Sequence, residues 1–126
     1  LESKNRSHEE CAYNAVKAGL EMIEALGKFN QNRQDQVNIR VGINSGTVIM
    51  WDIGSKLYRR DYTVIGYNVN IAARLESAAE QGTVLVSDTT YKLIKDFVEI
   101  EDTSSIAVKG KAEELLVHKI SQLLPI

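Results

Sequence analysis

The stretch 62–76 constrains the fold more than any other part of the chain, because its residue pattern changes period halfway along. Residues 62–66 form a short run rich in β-branched side chains that ends at Gly66, and a helical pattern begins near Val69. This change predicts a strand that leads directly into a helix. One face of the helix is predicted to be buried, and its apolar residues follow helical spacing: Ile71, Leu75, Ala78 and Ala79.

A polar stripe runs beside the apolar one and contains Asn70, Arg74 and Ser77. Asn70 and Arg74 stand at positions i and i+4, so their side chains lie one turn apart on the same side of the helix. A carboxamide and a guanidinium just after the carboxyl end of a strand can together bind an anionic group. The same spacing also fits an ordinary solvated helix face.

The composition excludes several classes of function. The 126 residues fit one domain, 1–126, with 15 basic and 17 acidic residues and no block of like charge, so a nucleic-acid partner is not indicated. The single cysteine, Cys11, cannot form an internal disulfide and fits a reducing compartment. No apolar run is long enough for a membrane span and no signal peptide is visible. We expect a cytoplasmic segment without membrane contact of its own, cut from a longer parent protein that other domains could attach to a membrane.

Before the central stretch, the sequence predicts a helix followed by a hairpin. Ser7 to Glu10 reads as a capping box, and an amphipathic pattern continues to about Phe29. Residues 37–43 then alternate between apolar and polar or small side chains, as in a strand with one buried face. Turn residues at 44–46 separate this strand from a second at 47–53, which predicts that the two strands pair.

After the central stretch, the pattern predicts shorter elements. Gly82 is expected to cap the central helix, residues 83–86 to form a buried strand, and Asp88 to cap a helix that runs through Lys95. Separate strands are expected at 97–100 and 106–108, the latter paired with 115–120. His118 is expected to be structural or solvated, and neither His8 nor Cys11 has a partner at functional spacing.

Several catalytic motifs are absent. The sequence contains no Gly-x-x-x-x-Gly-Lys loop, no Cys-x-x-Cys, no His-x-x-x-His and no Gly-x-Ser-x-Gly, which removes P-loop, zinc and serine-hydrolase chemistry at the level of motifs. The elements fit an α+β arrangement with the helices on one face of a sheet.

Four blocks of sequence, taken together and in order, resemble the class III nucleotidyl cyclases, the adenylate and guanylate cyclase catalytic domain. The blocks are RVGINSG at 40–46, YTVIGYNVNIAARLE at 62–76, VLVS at 84–87 and VKGK at 108–111. The resemblance covers nearly the whole chain. It implies a ferredoxin-like cyclase core, an antiparallel-rich sheet with helices packed on it.

The resemblance also implies a reaction and roles for residues. In this family the ribose 3′-hydroxyl attacks the α-phosphate of a nucleoside triphosphate, and a 3′,5′-cyclic nucleotide and pyrophosphate result. By resemblance, Asn70 orients the ribose and Arg74 stabilises the charged transition state. Lys109 matches the lysine that contacts the triphosphate tail. Arg59 is the best match for a second phosphate-binding cation, with Arg60 as the alternative.

By the same resemblance, Thr63 occupies the position that reads the purine edge. Aspartate or threonine there is typical of adenylate cyclases and cysteine of guanylate cyclases, so ATP is expected in preference to GTP. Family members build each active site between two subunits, and a homodimer with shared sites is therefore expected for the parent.

The chain departs from the family pattern in two respects. It begins after the strand and hairpin that carry the family's two metal-binding aspartates, so we expect an N-terminally truncated domain without metal ligands, the Mg²⁺ or Mn²⁺ ligands lying upstream of Leu1. Trp51-Asp52 and Tyr67-Asn68 also replace the usual Gly-Asn and Asp-Thr. We expect the parent to be an adenylate cyclase of intracellular signalling and the chain alone to be inactive.

Three alternatives stay open at this point. Trp51 and Tyr67 favour a degenerate, non-enzymatic module that dimerises or senses nucleotide. A guanylate cyclase is the second alternative. The third, an RNA-binding ferredoxin-like domain, lacks the exposed aromatic pair and basic sheet that base stacking requires.

Overall fold

The computed structural model describes residues 7–46, 67–107 and 114–125, together with the backbone of two short strands at 49–52 and 62–65. The elements in chain order are α1 (His8–Phe29), β1 (Val41–Ile43), β2 (Ile49–Asp52), β3 (Tyr62–Ile65), α2 (Tyr67–Ala78), β4 (Val84–Ser87), α3 (Asp88–Ile94), β5 (Val98–Ala107) and β6 (Glu114–Leu123).

Helix α1 begins where the capping pattern predicts. The Ser7 hydroxyl accepts a hydrogen bond from the Glu10 backbone N–H at 3.1 Å, which satisfies one of the free amides of the first turn. Acidic Glu9 and Glu10 lie in the first turn and Lys28 in the last, the favourable arrangement for the helix dipole. The predicted end at Phe29 is confirmed.

The main sheet has four strands in the order β1, β4, β6, β5. Strand β1 pairs with β4 in parallel, whereas β4 with β6 and β6 with β5 are antiparallel. Strands β2 and β3 form a separate antiparallel pair. The prediction of an antiparallel-rich sheet with helices packed on it is confirmed.

The hairpin predicted for residues 37–53 is wrong. Strand β1 is short, begins at Val41, and takes β4 rather than β2 as its partner. Val37 stands outside any strand because the Asn30 side chain binds its backbone, donating to the carbonyl at 2.6 Å and accepting from the N–H at 2.8 Å. Turn residues at 44–46 were compatible with a hairpin, but turn chemistry alone does not choose the partner of a strand.

The expectation that all helices lie on one face of the sheet is also wrong. Helices α1 and α3 pack on one face, against Val84, Val86 and Ile120. Helix α2 packs on the opposite face, against Leu85 and Val117. Because successive strand residues point to opposite faces, the continuous apolar run of β4 can serve both layers.

Two further boundaries differ from the prediction. Strand β5 is one continuous strand of 10 residues rather than two pieces, and register shifts near Ile100 absorb the irregularity. Helix α3 is capped by Ser87, whose hydroxyl accepts from the Thr90 N–H at 3.3 Å, whereas Asp88 is its first residue.

Within the described residues, no helix combines the length and apolar character needed to span a membrane.

Helix α2 approaches β1 closely at Gly42. A Cβ atom added there would overlap the Glu76 backbone nitrogen and lie 2.8 Å from the Leu75 Cβ, closer than van der Waals contact allows. Leu75 itself is fully buried. Glycine at position 42 therefore sets the distance between the helix and the sheet.

We predict that Gly42→Ala lowers the free energy of unfolding by roughly 1–3 kcal/mol, because the methyl group forces α2 away from the sheet. The matched control is Gly27→Ala. Gly27 lies within α1 and a Cβ there meets no atom within 4 Å, so this change should raise stability by about 0.5–1 kcal/mol. Urea unfolding of both variants checks the prediction, and equal effects of the two substitutions would contradict it.

Candidate active site

Helix α2 presents two distinct faces, as the sequence predicts. Ile71, Leu75 and Ala79 are buried against the sheet. Asn70, Arg74 and Ser77 are exposed on the other side. Ala78, the last residue of the helix and expected in the apolar stripe, is exposed instead, whereas Ala79 is buried.

The strand that leads into this helix is also as predicted. Strand β3 ends at Ile65 and α2 begins at Tyr67, two residues earlier than the pattern indicated. Asn70 therefore lies in the first turn of the helix and Arg74 in the second, just beyond the carboxyl end of β3. The two side chains are free of the core and face outward.

The Arg74 guanidinium reaches across to strand β5. Its Nη2 donates a hydrogen bond to the Ala107 carbonyl oxygen at 2.8 Å, and Ala107 is the last residue of that strand. This contact joins residues 33 positions apart in the chain. The sequence could not reveal it, because a backbone carbonyl carries no residue-type signal.

The other predicted site residues are only partly described. Thr63 lies in β3 with its backbone paired to Trp51, but its side chain is outside the described part of the structure. Arg59, its alternative Arg60, and Lys109 lie outside the described residues. Lys109 follows Ala107 by two positions in the chain.

A cavity of about 680 Å³ lies elsewhere, between α1, α3 and the end of β1. Asn44 and Ser45 line it together with His8 and Cys11, whereas Asn70 and Arg74 do not. The exposed face of α2 is therefore not a wall of this cavity.

Comparison with known proteins identifies the family of this chain. Residues 2–122 match the family model of the adenylate and guanylate cyclase catalytic domain. The chain belongs to this family. The family resemblance and the ferredoxin-like cyclase fold expected from the sequence are thereby confirmed.

The relatives include both kinds of cyclase. Adenylate cyclase type 9 of Gallus gallus is 34% identical over 107 residues, which cover 82% of this chain and 8% of that protein. The adenylyl cyclase CyaB from P. aeruginosa has a TM-score of 0.80 at 34% identity, covering 93% of this chain and 62% of that chain. The guanylate cyclase domain of RhGC from Catenaria anguillulae, solved in complex with GTP, has a TM-score of 0.78 at 29% identity. The match covers 90% of this chain and 60% of that chain. The chain thus spans less than two thirds of each relative.

Members of the cyclase family generally use divalent metal ions. Within the described residues, no group of three or more His, Cys, Asp or Glu side chains could hold one. The described part of this cyclase domain therefore does not fit a metal site.

A second polar group of this cyclase domain is centred on His118 of the inner strand β6, and His118 is 4% exposed. Its Nε2 lies 2.8 Å from Asp88 Oδ1, and its Nδ1 lies 2.9 Å from Thr103 Oγ1. The Tyr91 ring lies over the imidazole with 4.2 Å between centroids. The expectation of a structural histidine agrees with this placement. No pattern in the sequence pointed to Asp88 or Thr103 as its partners.

The His118 contact also affects the acidity of Asp88. The hydrogen bond from His118 holds the pKa of the Asp88 carboxyl below its ordinary value, burial opposes this, and Lys92, at 3.2 Å, adds to the lowering. A lowered pKa means that folding favours the charged carboxylate. Its contribution to stability is present above the ordinary pKa and is lost as the pH falls through the folded-state pKa.

We predict that Asp88→Asn lowers the free energy of unfolding at pH 7 by roughly 1–3 kcal/mol, because a strong hydrogen bond to a buried imidazole is weakened. The difference in unfolding free energy between Asp88→Asn and the unmodified chain should shrink as the pH falls below about 4, where an aspartate protonates. Denaturant unfolding between neutral and acid pH measures this. The exposed Asp96 gives the control, since Asp96→Asn should change stability by less than about 0.5 kcal/mol. A deficit that is constant with pH would contradict the assignment.

Proposed function

We propose that this chain supplies part of the catalytic domain of an adenylate cyclase, which converts ATP to 3′,5′-cyclic AMP and pyrophosphate in intracellular signalling. One observation carries the proposal. Asn70 and Arg74 are exposed on consecutive turns of α2, directly after β3, and the Arg74 guanidinium lies at the end of β5.

In the proposed reaction the ribose 3′-oxygen bonds to the α-phosphorus and the bond from that phosphorus to the bridging oxygen breaks. Pyrophosphate departs, and the hydroxyl proton is released. Such a transfer asks the protein mainly for positioning and for charge stabilisation on the phosphate oxygens. The Asn70 carboxamide can orient the ribose through donor and acceptor atoms, and the Arg74 guanidinium can stabilise the charge that develops on the phosphate.

The contact with Ala107 supports this role for Arg74. A guanidinium has five N–H donors in a planar fork, and only Nη2 is bonded to the Ala107 carbonyl. The remaining donors can bind phosphate oxygens while this bond fixes the plane of the group. A lysine ammonium can also donate to two acceptors, but it is rotatable and has no planar fork for the Ala107 carbonyl to orient.

The remaining roles follow the family resemblance. Thr63 is proposed to read the purine edge, and Arg59 and Lys109 to bind the triphosphate. ATP is proposed over GTP because of Thr63, and because the chicken relative and the P. aeruginosa structure are named as adenylate or adenylyl cyclases. The relative crystallised with GTP keeps guanylate cyclase activity as the second candidate.

The complete protein is proposed to be a cytoplasmic homodimer that shares its active sites between subunits. By the family resemblance, its Mg²⁺ or Mn²⁺ ligands are proposed to lie upstream of Leu1. A non-enzymatic, nucleotide-sensing module is a further candidate. It is favoured by Tyr67, a large side chain that is 42% exposed at the start of α2.

We predict that Arg74→Ala in the complete protein lowers kcat by about 10²- to 10³-fold, the effect of removing one preorganised donor to a developing charge. The kcat of Arg74→Lys should lie between that of Arg74→Ala and that of the unmodified protein, because lysine keeps the charge but lacks the planar set of donors. Cyclic AMP and cyclic GMP formation from ATP and GTP, followed in parallel, measures the loss and the preferred base.

The matched control is Arg33→Ala. Arg33 stands in the loop after α1, with its guanidinium 4.4 Å above the Phe29 ring, and this change should leave turnover within about two-fold. Unchanged turnover in Arg74→Ala, with the fold intact by circular dichroism, would refute the role of Arg74.

We also predict that the purified 126-residue chain forms no measurable cyclic AMP from ATP with Mg²⁺ or Mn²⁺. A metal clamp contributes at least several kcal/mol to phosphoryl transfer, more than the donors of α2 can replace. The complete protein, assayed under the same conditions, is the positive control. Metal-dependent product from the purified chain alone would contradict this prediction.

A further inference from the structure

Asn44, the first residue after β1, holds the first turn of α2 through two bonds of its carboxamide. Its Nδ2 donates to the Asn68 carbonyl oxygen at 2.9 Å and lies 3.3 Å from the Asn68 side-chain oxygen. Asn68 is the second residue of α2 and precedes Asn70 by two positions. Asn44 therefore binds the same helical turn that carries Asn70.

The other end of the Asn44 carboxamide is bound to the start of α3. Its Oδ1 accepts a hydrogen bond from the Ser87 hydroxyl at 2.7 Å, and Ser87 is 5% exposed. The fully buried Thr90 lies behind it, with its hydroxyl 3.2 Å from Ser87 Oγ and 2.9 Å from Ser45 Oγ. Within the described residues no buried side-chain nitrogen or oxygen lacks a partner, so this group is a satisfied and rigid anchor.

Asn68 is confined from a second side by Gly46. A Cβ atom at position 46 would overlap the Asn68 carboxamide and lie 2.6 Å from its oxygen. The first turn of α2 is thus held by Asn44 and Gly46, whereas the following turns are held by the buried Ile71 and Leu75. Polar contacts of fixed direction control this end of the helix, and apolar packing controls the rest.

We infer that Asn44 is a positioning residue for catalysis, which acts by fixing the first turn of α2 and hence Asn70. The inference rests on the proposed function, in which Asn70 orients the ribose. Reactions that depend on orientation lose about 100-fold in rate when a group moves by about 1 Å. Asn44 needs both ends of its amide for this role, because it donates to α2 and accepts from α3.

The test is Asn44→Asp in the complete protein. A carboxylate can still accept from Ser87 but cannot donate to the Asn68 carbonyl, which it repels. We expect kcat for cyclic nucleotide formation to fall about 10- to 100-fold and KM to change less than about three-fold. Hydrogen exchange should increase at the start of α2 and stay unchanged in its second half.

A double-mutant cycle separates positioning from a general structural role. If Asn44 acts through Asn70, then Asn44→Asp should lower kcat by less than about two-fold in an Asn70→Ala background. Should Asn44→Asp fail to fold, Ser87→Ala removes the hydroxyl that donates to Asn44, and with it the side-chain cap of α3. It should lower kcat by roughly 3- to 10-fold, the equivalent of one ordinary hydrogen bond, with the same non-additivity.

Each outcome decides the matter. The inference is supported if kcat falls, hydrogen exchange increases only at the start of α2, and the losses from Asn44→Asp and Asn70→Ala are not additive. Unchanged kcat, or additive losses in the double-mutant cycle, overturns it. If the unmodified complete protein forms no cyclic nucleotide, the proposed function fails and this inference fails with it. An active protein that is insensitive to both Asn44→Asp and Ser87→Ala overturns the inference alone.

Discussion

The close contact of helix α2 with strand β1 is the constraint on which the rest of the structure depends. Gly42 lets the helix backbone approach the sheet at Leu75 and Glu76, and Leu75 is completely buried there. Because this contact fixes the rotation of the helix, it also decides which side faces outward. Because Ile71 and Leu75 are buried against the sheet, Asn70 and Arg74 lie on the exposed side of the helix.

The start of α3 links two polar groups of the described structure, one around Asn44 and one around His118. Two successive residues bind in different directions: Ser87 donates to Asn44, which holds α2, and Asp88 binds His118 on β6. Buried polar atoms are costly unless they are all bonded, and within the described residues these are. A single helix start therefore joins both faces of the sheet with directional contacts.

The candidate site is assembled from segments that are far apart in the chain. The guanidinium of Arg74 on α2 meets the carbonyl of Ala107 at the end of β5, and residue 107 leads toward Lys109. Arginine can hold a backbone oxygen and still offer donors to an anion, so the same contact both anchors and orients the group. Preorganisation of this kind needs a rigid frame, which the sheet supplies.

Local features of this chain were determined by the sequence alone. The Ser7 cap, the extent of α1, the passage from β3 into α2 and its polar and apolar stripes depend on neighbours within a few residues, so periodicity and capping chemistry reveal them. Only the tertiary structure decided that β1 pairs with β4, that helices cover both faces, and that Arg74, Asn44 and His118 find the partners they do. Those choices depend on competition between distant segments for the same buried surface, and no local pattern carries that information.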